Sequence, residues 1–191
     1  MAYDDVSALL EQYEQLARAR GSVAIDYLRP GLTVAEITEI EERYGFPLSD
    51  DVKAVWMWHN GMGPRPSRDT PVTIGSGWDF RELSESIEYA QMILDMRNEG
   101  DGDRYVESRW VTFNRGSRSD VIETSNIQLP DSSVLLSDMT SSVLNFPIVT
   151  VAEKIRWYIW AIENGVWFVD DTGTWRSRHE LYPKNGMRHL I

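Results

Sequence analysis

The sequence predicts an α+β fold in which N-terminal helices pack on a central, mainly antiparallel sheet, with one further helix late in the chain. Three observations lead to this prediction. Apolar residues recur at helical spacing through the first 60 residues. Short β-prone runs separated by polar turns follow between residues 110 and 136. A last helical pattern then begins at Thr150.

Three helices are predicted in the N-terminal third of the chain. The second has the clearest start, because Thr33 and Glu36 have the spacing of a capping box. Ser49 is placed to cap the third helix, which should end at Asn60-Gly61. The expected buried face of the second helix comprises Val34, Ile37, Ile40 and Tyr44. The expected bounds of the three helices are Asp5–Arg20, Thr33–Gly45 and Ser49–Asn60.

The rest of the chain reads as alternating strands and helices. A loop rich in glycine and proline covers residues 61–71, and a fourth helix is predicted from Ser84 to Arg97, before a turn at Asn98–Asp103. A fifth helix should run from the second capping box at Thr150 to Asn164. The predicted strands are Val72–Ile74, Trp110–Phe113, Val121–Thr124, Val134–Leu136 and Val166–Val169. The middle three are typical of an antiparallel meander.

The charge of the chain is strongly negative and unevenly distributed. The formal net charge is −11, from 30 acidic and 19 basic residues, and residues 1–60 alone hold 11 acids and 5 bases. Such a surface repels phosphate backbones, so nucleic acid is not expected as a direct partner. It attracts a basic protein, with faster encounter at low salt. The alternative is that the charge serves only to keep the chain soluble.

The composition also indicates a compartment. The chain has no cysteine, which suits a reducing environment and excludes disulfides and thiolate metal sites. No stretch approaches 18 consecutive apolar residues, and the N-terminus is acidic rather than basic. We therefore expect a cytoplasmic protein with no membrane partner.

The residues capable of chemistry do not assemble into a recognisable site. The sequence contains none of the common phosphate-, dinucleotide- or hydrolase-type motifs. The acidic pair Asp101 and Asp103 lacks the rest of a calcium loop, and Asp170-Asp171 fits an ordinary turn better than an acid–base or magnesium site. The three histidines, at His59, His179 and His189, lack metal-site spacing. We predict no enzyme activity, no metal and no cofactor.

Tryptophan is unusually frequent, with eight residues in 191. In the helix that begins at Thr150, Trp157 and Trp160 widen the apolar face set by three isoleucines. A helix apolar over so wide an arc is either deeply buried or covered by a partner, since tryptophan is also common at interface hot spots.

One ordered set of residues spans the second and third predicted helices: Gly31, Leu32, Thr33, Ile37, Glu41, Gly45, Leu48, Asp50, Trp56, His59, Asn60 and Gly61. This set resembles the N-terminal signature of the SUKH superfamily, which includes the fungal Smi/Knr cell-wall regulators. Two positions depart from the pattern, since the superfamily usually has proline at Ser49 and glycine at Met62. Further along, Trp110-Val111-Thr112-Phe113 looks like its Trp-x-x-Phe strand, although the turn that follows differs.

The resemblance implies a SUKH-like α+β fold without catalytic residues. In bacteria it implies a frequent role as an immunity protein against secreted toxins, which are often nucleases and commonly basic. On this basis we predict a single domain over residues 1–191. Its parts would be an N-terminal helical extension (1–30), a SUKH core (31–164) and a C-terminal strand and tail (165–191).

A candidate contact surface lies on the second predicted helix. Glu36, Glu39 and Glu42 form an acidic stripe opposite the apolar face, suited to a basic toxin domain. The alternative interpretation is a solvated helix face, with Glu36 already used in capping. The alternative function is a regulatory or scaffold module of the same fold with a non-toxin partner.

Overall fold

A computed structural model describes residues 3–45, 47–64, 67, 73–75, 79–99, 110–112, 114–115, 118–123, 133–138 and 149–183. The predicted α+β class is confirmed: helices in the N-terminal third combine with small antiparallel sheets, and one helix comes late. The helices are α1 (Tyr3–Ala19), α2 (Val34–Tyr44), α3 (Asp50–Trp58), α4 (Leu83–Glu99) and α5 (Val151–Glu163). Single 3₁₀ turns lie at Val23–Tyr27 and His179–Leu181.

The strands pair only with antiparallel neighbours in the part of the chain that is described. In chain order they are β1 (Leu28–Pro30), β2 (His59–Met62), β3 (Asp79–Phe80), β4 (Trp110–Thr112), β5 (Asn114–Arg115), β6 (Arg118–Glu123), β7 (Ser133–Asp138), β8 (Val149–Thr150), β9 (Trp167–Val169) and β10 (Trp175–Ser177). The predicted meander is the four-stranded sheet β4-β6-β7-β8. The pairs β1-β2, β3-β5 and β9-β10 form separate two-stranded sheets.

Several local details differ from the prediction. Helix α4 extends to Glu99, so Asn98 and Glu99 are helical where a turn was predicted. The third helix ends at Trp58 rather than Asn60, because His59–Met62 pair with β1 as strand β2. Ser49 stands at the N-cap of α3 without making the capping bond. The strand predicted at Val72–Ile74 is absent from its described part, where Ile74 lies in a bend and is buried in the core. Val72 itself lies outside the described residues.

The core is built where α1 packs on α3 and α5. Tyr13 of α1 meets Tyr158 of α5 with ring centroids 6.2 Å apart. Most of the tryptophans with described side chains are buried in the core, since four of them are at most 4% exposed. These four are Trp56, Trp157, Trp167 and Trp175. Most of the surface of α5 is likewise buried, which explains its wide apolar arc.

Candidate protein-binding face

The glycines of the sequence signature allow backbone segments to approach one another closely. A Cβ atom at Gly31 would lie 1.8 Å from the carbonyl oxygen of Met57, at the end of α3. At Gly61, where φ is +76°, it would lie 2.4 Å from the backbone nitrogen of Glu82. Any other residue at either position would force backbone apart, so both glycines are required by packing.

Polar bonds hold the same junction together. The indole N–H of Trp56 donates to the buried carbonyl oxygen of Arg81 at 3.0 Å. The side-chain oxygen of Asn60 accepts from the backbone N–H of Leu83 at 2.9 Å, at the first turn of α4. The signature residues Trp56, Asn60 and Gly61 therefore join β2 and α3 to the start of α4. They build the fold: Trp56 and Gly61 are buried, and Asn60 is half-buried.

Helix α2 begins with the predicted capping box. The backbone N–H and the hydroxyl of Thr33 donate to the carboxylate of Glu36 at 2.7 and 2.8 Å, and hold the pKa of that carboxyl below its ordinary value. The Thr33 oxygen in turn accepts from the Glu36 N–H at 3.2 Å. Glu36 is exposed, but its carboxylate is already occupied by the cap.

Two further carboxylates of α2 point outward. Glu39 makes a 2.7 Å ion pair with Arg43, and the two side chains are 70% and 58% exposed. Glu42 is also exposed. Glu41, by contrast, turns inward, where it accepts from the Leu48 N–H at 2.7 Å and pairs with Lys53 at 3.1 Å. Glu36 and Glu41 of α2 thus have structural roles, whereas the carboxylates of Glu39 and Glu42 are accessible to a partner.

The apolar side of α2 is narrower than predicted. Ile37 is buried at 1% exposure, and Ile40 and Tyr44 are partly buried against the core. Val34 was expected to be buried, and this is wrong: it is 61% exposed. The reason is its place in the first turn, before the helix meets the core through its later turns. Helix α2 exposes seven residues, and we call them the α2 face: Val34, Ala35, Glu36, Thr38, Glu39, Glu42 and Arg43.

The C-terminal end of α2 contacts α4 through a side-chain hydrogen bond. The hydroxyl of Tyr44 donates to the carboxylate of Glu88 at 2.6 Å, and this bond raises the pKa of Tyr44 above its ordinary value. Met92, one helical turn beyond Glu88, is 44% exposed. No local pattern predicts this contact, because the bond joins residues 44 positions apart.

The other candidates from the sequence have structural partners or lie outside the described residues. Asp170 accepts from the hydroxyl and N–H of Thr172 and the N–H of Thr174, and pairs with Arg176 at 2.7 Å. These bonds, led by that of the Thr172 hydroxyl, hold the pKa of Asp170 far below its ordinary value. The carboxylate therefore shapes the β9–β10 turn. Asp101, Asp103 and His189 fall outside the described residues.

Among the described residues, no group of three or more histidine, aspartate or glutamate side chains is placed to hold a metal ion. The described helices likewise include none with the length and apolar character needed to cross a membrane.

The structure is that of a small α+β domain in which residues of the sequence signature, Gly31, Trp56 and Gly61, form a closely packed junction. The sequence profile of the SMI1 / KNR4 family (SUKH-1) matches residues 31–132, which is just over half of the 191 residues. The chain belongs to this family, as the signature residues had indicated. Comparison with curated proteins gives no match.

Proposed function

We propose that this protein is a non-enzymatic binding module that neutralises a bacterial toxin by direct contact, with a basic surface of the toxin docked on the α2 face. The observation that carries the proposal is the exposure of Glu39 and Glu42 on a helix whose opposite side packs on the core. Family membership supports the class of module. The role in immunity and the lack of catalytic residues follow from the resemblance described above.

Charge complementarity is the second support. The formal charge of −11 attracts a basic partner, and salt screens this attraction beyond about 8 Å at physiological ionic strength. The pair between Glu39 and Arg43 is exposed, and such helical pairs contribute only about 0.3–0.5 kcal/mol. An arginine of a partner can therefore replace Arg43 at little cost. We place this encounter in the cytoplasm, consistent with a chain that lacks cysteine.

Charge reversal on the α2 face tests the docking site. The double variant Glu39→Lys with Glu42→Lys should weaken binding to a toxin domain that the native protein neutralises by roughly tenfold or more at low salt. The matched control is Glu11→Lys with Glu163→Lys, which makes the same change in net charge at exposed positions of α1 and α5. Calorimetry at two salt concentrations measures both. Equal losses for the two doubles would contradict docking on the α2 face, as would no loss for either.

Cell growth separates toxin neutralisation from the regulatory or scaffold alternative. Cells that express a neighbouring toxin gene should survive when this protein is co-expressed, and the α2 double variant should protect them less well than the control double. Failure of the native protein to protect, despite normal expression of both proteins, would contradict the immunity role.

A further inference from the structure

The carboxylate of Glu14 is the centre of a polar cluster that joins α1 to the end of α3. One oxygen accepts from two nitrogens of Arg18, at 3.0 and 2.9 Å. The other accepts from the indole N–H of Trp58 at 2.9 Å and lies 3.1 Å from Nε2 of His59. The side chains of His59 and Glu14 are only 19% and 22% exposed, so water screens their contact weakly.

The partners of the two ring nitrogens of His59 determine which of these nitrogens must carry a hydrogen. Nδ1 lies 2.7 Å from the backbone carbonyl oxygen of Arg29 in β1, and a carbonyl can only accept. Nε2 faces the Glu14 carboxylate, which also only accepts when ionised. A neutral imidazole has a single N–H and can satisfy one of these acceptors. The imidazolium, with two N–H groups, satisfies both.

We propose that Glu14 and His59 form a proton-operated latch, which fastens α1 to the β1–β2 pair when His59 is protonated and Glu14 is ionised. When the ring is neutral, one of its two nitrogens presents a lone pair to an acceptor: either Nε2 to the Glu14 carboxylate at 3.1 Å or Nδ1 to the Arg29 carbonyl oxygen at 2.7 Å. That contact is repulsive, so the latch loosens. The latch goes beyond the proposed binding function and does not depend on it.

The charges around the latch favour an ionised Glu14. Burial raises the pKa of Glu14, but the hydrogen bonds from His59, Arg18 and Trp58 outweigh it, so the pKa lies below its ordinary value. Arg18 also pairs with Asp26 at 2.7 Å, which offsets part of its positive charge. The guanidinium of Arg29 pairs with Glu82. The ring of Trp58 meets the His59 ring edge-on, with centroids 4.6 Å apart.

The latch therefore has two limits in pH. On the acid side, Glu14 contributes stability above its ordinary carboxyl value of 4.5, and this is lost as pH falls through the lowered value of the folded state. On the alkaline side, the stabilisation is present while the ring holds its second proton. It is lost when that proton leaves.

The alkaline limit is tested by urea unfolding of the full chain at about pH 6 and about pH 8.5. In His59→Gln the amide can donate to Glu14 at both values. His179→Gln is the matched control, because His179 is exposed on the 3₁₀ turn. Between the two pH values the folding equilibrium constant of the native protein and the control should fall about tenfold more than that of His59→Gln, as expected for one charge-assisted hydrogen bond. Parallel changes in all three proteins would overturn the proposal.

A second measurement requires no variant that might fail to fold. Nitrogen-15 NMR of the native protein reports whether each ring nitrogen carries a hydrogen. In the folded protein at about pH 6, both ring nitrogens of His59 should carry hydrogens, because each faces an acceptor. A neutral His59 ring under those conditions would overturn the latch.

Discussion

Replacing Gly61 with alanine should be unusually costly, and the structure separates the cost into two parts. The first is conformational, since φ is +76° and a Cβ atom in the left-handed region costs about 1–2 kcal/mol. The second is steric, because the Cβ atom would lie 2.4 Å from the backbone nitrogen of Glu82. Backbone cannot rotate away as a side chain can, so overpacking adds about 1–3 kcal/mol. We expect Gly61→Ala to lower the free energy of unfolding by about 3 kcal/mol or more.

Two other glycines serve as matched controls for the conformational part. Gly21 and Gly45 also have positive φ, at 82° and 60°, but a Cβ atom at either would meet nothing within 4 Å. Alanine there should cost only about 1–2 kcal/mol. Urea unfolding followed by circular dichroism gives all three values. If Gly61→Ala costs no more than Gly45→Ala, the close approach between β2 and the start of α4 is not a constraint on the fold.

Three further predictions concern polar bonds. Trp56→Phe removes the 3.0 Å bond to the buried Arg81 carbonyl, whereas Trp167→Phe removes an indole bond that is 3.4 Å long. The first variant should therefore lower the free energy of unfolding by about 1–2 kcal/mol more than the second. Equal urea midpoints for the two variants would refute this. Thr33→Ala should lower the free energy of unfolding by about 1 kcal/mol, and Thr33→Ser by much less, because serine keeps the cap; thermal melts that do not distinguish them would count against the capping role. Asp170→Asn should destabilise the chain at neutral pH. The difference in stability from the native protein should shrink as pH falls below the ordinary aspartate pKa of 3.8, because the lowered pKa makes the stabilisation depend on the ionised carboxylate. A difference in melting temperature that does not vary with pH would contradict this.

The sequence predicted best those features whose partners are close in the chain. Both capping boxes, at Thr33 and Thr150, are present with hydroxyl-to-N–H distances of 3.2 Å. Each depends on residues three positions apart, so the local pattern contains the whole interaction. The meander was predictable for a similar reason, since its β-prone runs are successive strands of one sheet.

The features that the sequence did not predict join distant parts of the chain. Strand β1 has three residues, too few to show alternation, and it forms only by pairing with β2. His59 therefore seemed to continue a helix, and its contact with Glu14, 45 positions away, left no local signal. On α2 the exposure of Glu39 and Glu42 followed from helical spacing, whereas their role in binding stays a prediction.

The packing of α1 on α5 has a consequence for synthesis of the chain. Helix α1 is made before its buried partner Tyr158, which belongs to α5 much further along the chain. At about 5–20 residues per second, α1 waits on the order of ten seconds before α5 follows it out of the ribosome. Val6, Leu10 and Ala17 are at most 2% exposed in the fold, and during that interval α3 can cover α1 but α5 cannot. The core between α1 and α5 therefore closes only after the segments between them have been made.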